Sequence, residues 1–278
     1  MSASSQAQRA AALQELHKSG IFVIPNPADA GQAKVLANMG FKALATTSAG
    51  MAYTIGKPDG DGVVTREEAL ENVRSIAAAT SLPLSADLEN GYGDDPEHCA
   101  QTITLAAAAG AVGGSIEDAT GRDDDPIYAF ELSLQRIRAA VQAARSLPFA
   151  FTLTARAENY LHGHADLADT IRRLTAFAEA GADVLYAPGL KTKEEIQAVV
   201  KAVAPKPVNV LSLGNFPVRE LEDMGVRRVS MGSSLARAAY GSFIRAAEEI
   251  RQKGTFSYIQ AAFPYAELNG LFSEKTAK

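Results

Sequence analysis

The chain has 278 residues, 47% of them hydrophobic and 21% charged, which is ordinary for a globular protein of one large domain. Its net charge is -5, its isoelectric point is near 5.5, and it has no basic block, which argues against nucleic acid as a partner. One cysteine, Cys99, excludes a disulfide framework and a multi-cysteine zinc site. No apolar run reaches the ~18 residues of a membrane span, and Met1 to Ala12 lack the apolar core of a signal peptide, so a cytoplasmic protein is expected.

Residues 8–19 predict a short amphipathic helix carrying Leu13 and Leu16, ended by Gly20. Ile21-Phe22-Val23-Ile24 reads as a buried strand closing at Pro25-Asn26-Pro27. Asp29 reads as the cap of a helix over 30–39 that stops at Gly40. A strand over 43–48 leads into a long loop with Gly56, Pro58, Asp59, Gly60, Asp61 and Gly62. Thr65-Arg66-Glu67-Glu68 then has the capping-box pattern for a helix over 66–79. The alternation repeats with strand 84–89 and helix 96–109, then strand 113–118 and helix 129–145. Strand 149–156 precedes helix 165–180, strand 183–187 precedes helix 193–203, and strand 208–212 precedes a short helix near 217–223. Strand 228–231 leads into helix 234–252. Cys99 falls among alanines in a predicted helix, where a small buried side chain is expected rather than a nucleophile. Gly40, Gly110 and Gly181, each between a helix and a strand, read as helix C-caps.

Eight βα units in about 250 residues is the arithmetic of a (β/α)8 TIM barrel, an α/β fold, here one domain with its barrel at about 20–252. An open doubly wound sheet is the alternative, but no G-x-G-x-x-G follows the first strand. The C-terminal extension 253–278 carries Phe256, Tyr258, Phe263, Tyr265, Leu268, Leu271 and Phe272, so it is expected to pack on something, another subunit included.

In such a barrel the active site lies at the C-terminal ends of the strands. Those ends read Asn26, Ser48, Asp87 with Glu89, Glu117 with Asp118, Arg156 with Glu158, Asn209 with Ser212, and Ser230. Barrel interiors are mostly branched and apolar, so this many polar ends point to a site. Asp87 and Glu89 lie two apart, and in a strand they project to one face. A hard divalent cation is the common remedy for such a pair. Solvated acids are the plain alternative, and the recurrence of acids at neighbouring ends weighs against it. Oxygen donors without a nearby histidine or cysteine favour Mg2+, or Mn2+, over zinc. Asp87 is the best direct ligand, with Glu89 and Glu117 acting directly or through water.

Arg156 has the planar fork that grips a carboxylate or phosphonate. Its alternative is a structural ion pair with Glu117 or Glu158, and both roles can hold together. Ser48-Ala49-Gly50 offers a hydroxyl and loop N–H groups to an anion, though the same tripeptide makes ordinary turns. The loop 119–128 has the composition of a mobile lid and equally of an idle surface loop. His162 and His164 read as solvated loop histidines, and no nucleophile elbow is present.

Thr47-Ser48-Ala49-Gly50, Pro58-Asp59, Ala86-Asp87-Leu88-Glu89-Asn90-Gly91-Tyr92-Gly93, Ile116-Glu117-Asp118 and Thr154-Ala155-Arg156 together resemble the isocitrate lyase / phosphoenolpyruvate mutase superfamily, in the family's order, over about residues 20–250. The resemblance implies a (β/α)8 barrel, often with a terminal helix exchanged between subunits of a homo-oligomer (a tetramer or dimer). It also implies Mg2+ and a 2-oxo acid or its enolate bound to the metal. By position it makes Asp87 the metal-ligating acid, and Glu89, Glu117 and Asp59 the acids that hold the metal's waters. Ser48, Ala49 and Gly50 resemble the loop that binds a substrate carboxylate or oxyanion, and Arg156 the arginine beside the substrate. Asn209 and Ser212 match residues that contact a second carboxylate in lyase members.

One motif departs. Lyase members carry a lid cysteine as general acid, whereas this lid reads Asp118-Ala119-Thr120-Gly121-Arg122-Asp123-Asp124. Mutase and hydrolase members use a lid asparagine or threonine, to which Thr120 corresponds only loosely. The chain is therefore similar to the cysteine-less, phosphonomutase-like branch. The resemblance implies Mg2+-dependent C–C cleavage (lyase or decarboxylase) of a 2-oxo or 2-hydroxy acid through an enolpyruvate-like oxyanion, with Ser48, Glu117 and Arg156 catalytic. The alternatives are P–C chemistry on phosphonopyruvate, with Arg156 and Arg122 receiving the phosphoryl group, and a non-catalytic 2-oxo-acid binding protein.

Overall fold

Eight short strands alternate with helices in the computed structural model, which describes residues 5–60 and 62–273. The strands are β1 (Phe22–Ile24), β2 (Leu44–Ala45), β3 (Leu84–Asp87), β4 (Gly113–Glu117), β5 (Thr152–Arg156), β6 (Val184–Tyr186), β7 (Val208–Leu211) and β8 (Arg228–Ser230). They pair in parallel in the order β1-β8-β7-β6-β5-β4-β3-β2. The remaining seam, between β1 and β2, is stitched by two hydrogen bonds. Ala45 N–H donates to the Pro25 carbonyl at 3.0 Å, and Asn26 Nδ2 donates to the Thr46 carbonyl at 2.9 Å. The result is a nearly closed (β/α)8 barrel.

Local chemistry sets most of the helix ends. Asp29 Oδ1 accepts the Gln32 N–H at 2.8 Å and starts α2 (Ala30–Asn38). Thr65 and Glu68 form a reciprocal capping box at α4 (Arg66–Ala79). Gly110 and Gly181 both sit at φ +106, beyond what a side chain tolerates without strain. Two predicted strands stop early. The strand expected over 43–48 ends at Ala45, because Thr47 caps a new helix, α3 (Ser48–Thr54). The strand expected over 84–89 ends at Asp87, and Glu89 lies in a left-handed turn at φ +47.

Strand alternation then sorts the side chains. Leu153 and Ala155 of β5 join Ala86, Ile116, Leu185, Val210 and Val229 in the core beneath the helices. Thr152, Thr154 and Arg156 take the other parity, as do Ser85 with Asp87 on β3, Ser115 with Glu117 on β4, and Arg228 with Ser230 on β8. The barrel interior is therefore polar, where branched apolar layers are usual. α1 (Gln6–Leu16) plugs the lower end, with Ala10 and Leu13 against Ile24, Ala43 and Val112. His17 meets the Phe22 ring edge-on at 5.0 Å.

At the other terminus, α10 (Ser234–Lys253) buries only Ala236 among its residues. Phe243 and Ile244 on it are 69% and 51% exposed. A 3-10 turn, Ser257–Ala261, leads to the last helix, α11 (Tyr265–Phe272). That helix docks on α2 of its own chain, where Asn38 Nδ2 donates to the Leu271 carbonyl at 2.6 Å. The end of the predicted extension, 274–278, and Asp61 of the predicted long loop lie outside the described residues. Among the described residues no helix is long and apolar enough to cross a membrane.

Candidate active site

Register brings the chemistry together. Glu117 on β4 pairs with Arg156 on β5, which pairs with Tyr186 on β6. Arg156 Nη1 lies 2.8 Å from Asp87 Oδ1 and 3.1 Å from Glu117 Oε2, and its Nε lies 2.7 Å from Glu158 Oε1. The Tyr186 ring stacks 5.1 Å from the guanidinium. Arg156 is thus the ion-pair hub that one reading expected, and it also lines the mouth. Asp87 is further held by the Ser48 N–H at 3.1 Å and the Ser115 hydroxyl at 3.4 Å. Its own N–H donates to Thr46 Oγ1 at 2.7 Å.

One cation against this many acids leaves surplus negative charge, and the acids respond. Burial, then Asp87 and Asp59, push Glu89 up to about 7. Burial lifts Glu117 well above the usual carboxylate range despite Arg156. Asp59 at the rim is raised by burial and by Asp87, while the Ser48 hydroxyl and Arg156 pull the other way. For Arg156 burial opposes the charge, but Glu117, Glu158 and Asp87 outweigh it and hold the guanidinium protonated. Behind the mouth, burial pushes Asp118 up to about 6, although it accepts the Glu158 N–H at 2.8 Å and pairs with Arg173 at 3.0 Å.

Among the described residues no three His, Cys, Asp or Glu side chains converge to enclose an ion. An all-protein cage is therefore absent, but the donors fit hydrated Mg2+, which keeps several waters and takes one or two carboxylates directly. Asp87 retains lone pairs for a direct bond, and Asp59, Glu89 and Glu117 surround it as acceptors for water. Such a cation would also relieve the repulsion that raises these acids.

Two connected levels of space open here. An outer cleft of about 770 Å3 is lined by Ser48, Asp59, Glu89, Tyr92, Glu117 and Arg156, among others. An inner cavity of about 200 Å3 runs down the barrel past Ser48, Ala49, Asp87 and Asn209 to Arg228. Some predicted site residues fall elsewhere. Ser48-Ala49-Gly50 is a helix turn rather than a loop, and its Ser48 and Gly50 N–H groups are already taken by Asp87 and Thr47. Gly50 lines neither space. A Cβ there would come within 2.5 Å of Thr47 Cγ2 and 3.2 Å of Ala28, so close packing accounts for the glycine. Ser212 lines a separate small hollow with Leu190 and Phe216, not the mouth. Asn209 does line the inner cavity, with its amide donating to Ser230 Oγ at 2.9 Å and accepting from Arg228 Nε at 2.8 Å.

The loop 119–128 is folded over the outer cleft, which Ala119 to Arg122 help to line. Ala119 bridges Ile127, Thr120 N–H donates to the Pro126 carbonyl at 2.8 Å, and Arg122 reaches both Asp94 oxygens at 3.0 Å. The Thr120 hydroxyl is engaged inside the loop by the Asp125 carbonyl and the Arg122 N–H. His162 reaches the rim of the cleft. Sequence reasoning missed Tyr92 and Arg228. Tyr92 carries a buried hydroxyl without a partner among the described residues and a left-handed backbone at φ +61. Its flanking glycines were the available signal. For Arg228 the signal was its parity with Ser230.

A family model for phosphoenolpyruvate phosphomutase matches residues 13–251. A solved structure of a candidate lyase/mutase from Burkholderia cenocepacia J2315 is 57% identical, covers 97% of both chains and superposes with a TM-score of 0.94. The 2-methylisocitrate lyase of Escherichia coli K12 is 29% identical over 86% of this chain and 83% of its own length. A phosphonopyruvate hydrolase solved with oxalate and Mg2+ is 27% identical over 94% of this chain and 95% of its own, with a TM-score of 0.82.

Proposed function

The chain belongs to the phosphoenolpyruvate phosphomutase family, within a superfamily of lyases and related enzymes, and on that premise we propose that it cleaves a C–C bond of a small 2-oxo or 2-hydroxy acid with Mg2+ as cofactor. The observation that supports this reading is Arg156 clamped by Asp87, Glu117 and Glu158 at a mouth with surplus negative charge. Mg2+ bound there would polarise the substrate oxygen and stabilise enolpyruvate-like charge. Asp87 would hold the ion, and Asp59, Glu89 and Glu117 would hold its waters.

The other parts of the site orient the acid. Three carboxylates fix the Arg156 guanidinium, so it loses little freedom on meeting a substrate carboxylate. Ser48, the first residue of α3, lines both spaces, and its hydroxyl, which bonds Asp59 here, can turn to donate to the developing oxyanion. Glu89 and Glu117 line the outer cleft beside a lid that offers no cysteine. P–C chemistry would call on Arg122 to receive the phosphoryl group, and Arg122 is already bound by both oxygens of Asp94. The bare faces of α10 and of the extension support a homo-oligomer as the working form.

The test is a proton NMR time course on a pool of oxaloacetate, 2-methylisocitrate, 2,3-dimethylmalate and phosphonopyruvate with Mg2+. Loss of a carbon acid with release of a smaller acid is expected. Loss of phosphonopyruvate alone would replace C–C with P–C chemistry, and binding without loss of any acid would favour a non-catalytic protein.

A further inference from the structure

Arg228 opens β8 and is 4% exposed. Its Nε donates to Asn209 Oδ1 at 2.8 Å and its Nη2 to Thr154 Oγ1 at 3.0 Å, while Nη1 has no acceptor among the described residues. Terminal guanidinium nitrogens of the other buried arginines are engaged. Arg156 has three acids, Arg173 has Asp118 and Asp169, and Arg136 is wrapped by the carbonyls of Asn90, Gly93 and Asp94. No carboxylate pairs with Arg228 in the described structure.

The groups that face it supply no negative charge. Tyr186 from β6 is a neutral phenol pushed up to about 12, chiefly by burial. Arg156 above is itself a cation. His17 from α1 below is held neutral, pushed down to about 3 by burial and by Arg228. Burial pushes Arg228 down only to about 10, so it stays charged at neutral pH. A buried cation without a counter-charge is expensive, and the remedy is an anion.

The chain leaves room for one. Arg228 lines the inner cavity of about 200 Å3, together with Ser85, Ser115 and Ser230, and Asp87 and Arg156 stand at its upper end. The space is below the roughly 300–1,000 Å3 of drug-sized pockets, so only a short acid fits. We propose that Arg228 anchors the far carboxylate of a short aliphatic diacid whose other end lies at Arg156 and Asp87. This rests on the reading of the mouth as an oxo-acid site. It makes Arg228 the residue that separates diacids from monoacids, because a monoacid leaves the guanidinium unpaired.

The experiment is calorimetric titration of the full-length protein in Mg2+ with oxalate, malonate, succinate, acetate and propionate, for wild type, Arg228→Met and Arg228→Lys. Wild type is expected to bind malonate or succinate at least tenfold more tightly than acetate or propionate. Arg228→Met should lose that preference, keeping oxalate affinity within twofold because oxalate fills the mouth alone, and Arg228→Lys should retain part of it. Absence of the preference in wild type, or its survival in Arg228→Met, would overturn the proposal. Wild-type crystals soaked in bromide decide independently of how the variants fold. An anomalous peak beside the Arg228 guanidinium is expected, and its absence contradicts the anchor. Failure of oxalate to bind wild type would instead count against the oxo-acid mouth, whatever the bromide shows.

Discussion

At Asp87 two demands fall on one side chain: it pairs with Arg156 at 2.8 Å, and it is the proposed ligand of the cation. Asp87→Ala removes both. We expect turnover to fall by about 10^3-fold or more, the scale of losing a central electrostatic group, and a rate assay of the purified variant checks it. His17, just past the end of α1, offers a test of electrostatics that is read from stability rather than turnover. Its folded-state pKa of about 3 is below its ordinary 6.5, so the unfolded chain binds the proton first. His17 therefore costs no stability above about pH 6.5, and its contribution is lost as pH falls from there towards 3. Urea midpoints at pH 7 and pH 4.5 should differ less in His17→Gln than in wild type. Equal differences would contradict the buried, neutral imidazole.

At the scale of elements, the lid and α3 carry the predictions. Asp94 holds the lid through Arg122 at 3.0 Å and through the Tyr128 hydroxyl at 2.5 Å. Asp94→Ala should speed hydrogen exchange across 119–128 and raise KM several-fold with a smaller change in kcat. Unchanged exchange would mean that these bonds do not hold the loop. Gly50→Ala forces a Cβ against Thr47 and Ala28, an overpacking that costs about 1–3 kcal/mol, read from thermal or urea unfolding.

These elements also mark what the sequence could show. Asp29, Thr65 and Gly110 are local signals, and the helices they bound lie within a residue or so of expectation. Ser48 reads in sequence as a strand end running into a loop, whereas Thr47 caps a helix that begins at Ser48. Asp87 and Glu89 do meet at one mouth, but the left-handed turn at Glu89 brings them there rather than a shared strand face. Ser212 matched a motif by position, yet it lines a hollow below the β7–α9 turn, where α9 is Val218–Asp223. Arg228 shows its inward parity in sequence, but its isolation from every acid appears only when all eight strands are in place.

At the scale of the whole molecule, α10 buries one residue and exposes Phe243 and Ile244, while the extension exposes Phe256, Ile259, Phe263 and Tyr265. Apolar surface of this extent is uncommon on a monomer, and a second copy of the chain is the proposed cover. Light scattering after size exclusion should report a homo-oligomer for wild type and smaller species for a Phe243→Glu, Ile244→Glu double variant. A wild-type monomer would contradict the proposal.

The central claim is that the Asp87–Arg156 mouth performs metal-dependent C–C cleavage. It is tested most directly by following the acid that wild type consumes, by NMR, for wild type and Asp87→Asn, first with Mg2+ and then with excess EDTA. The account predicts loss of the acid by wild type in Mg2+ alone, restored when Mg2+ is returned, and none by Asp87→Asn. Undiminished turnover in EDTA, or a wild-type rate in Asp87→Asn, would contradict it.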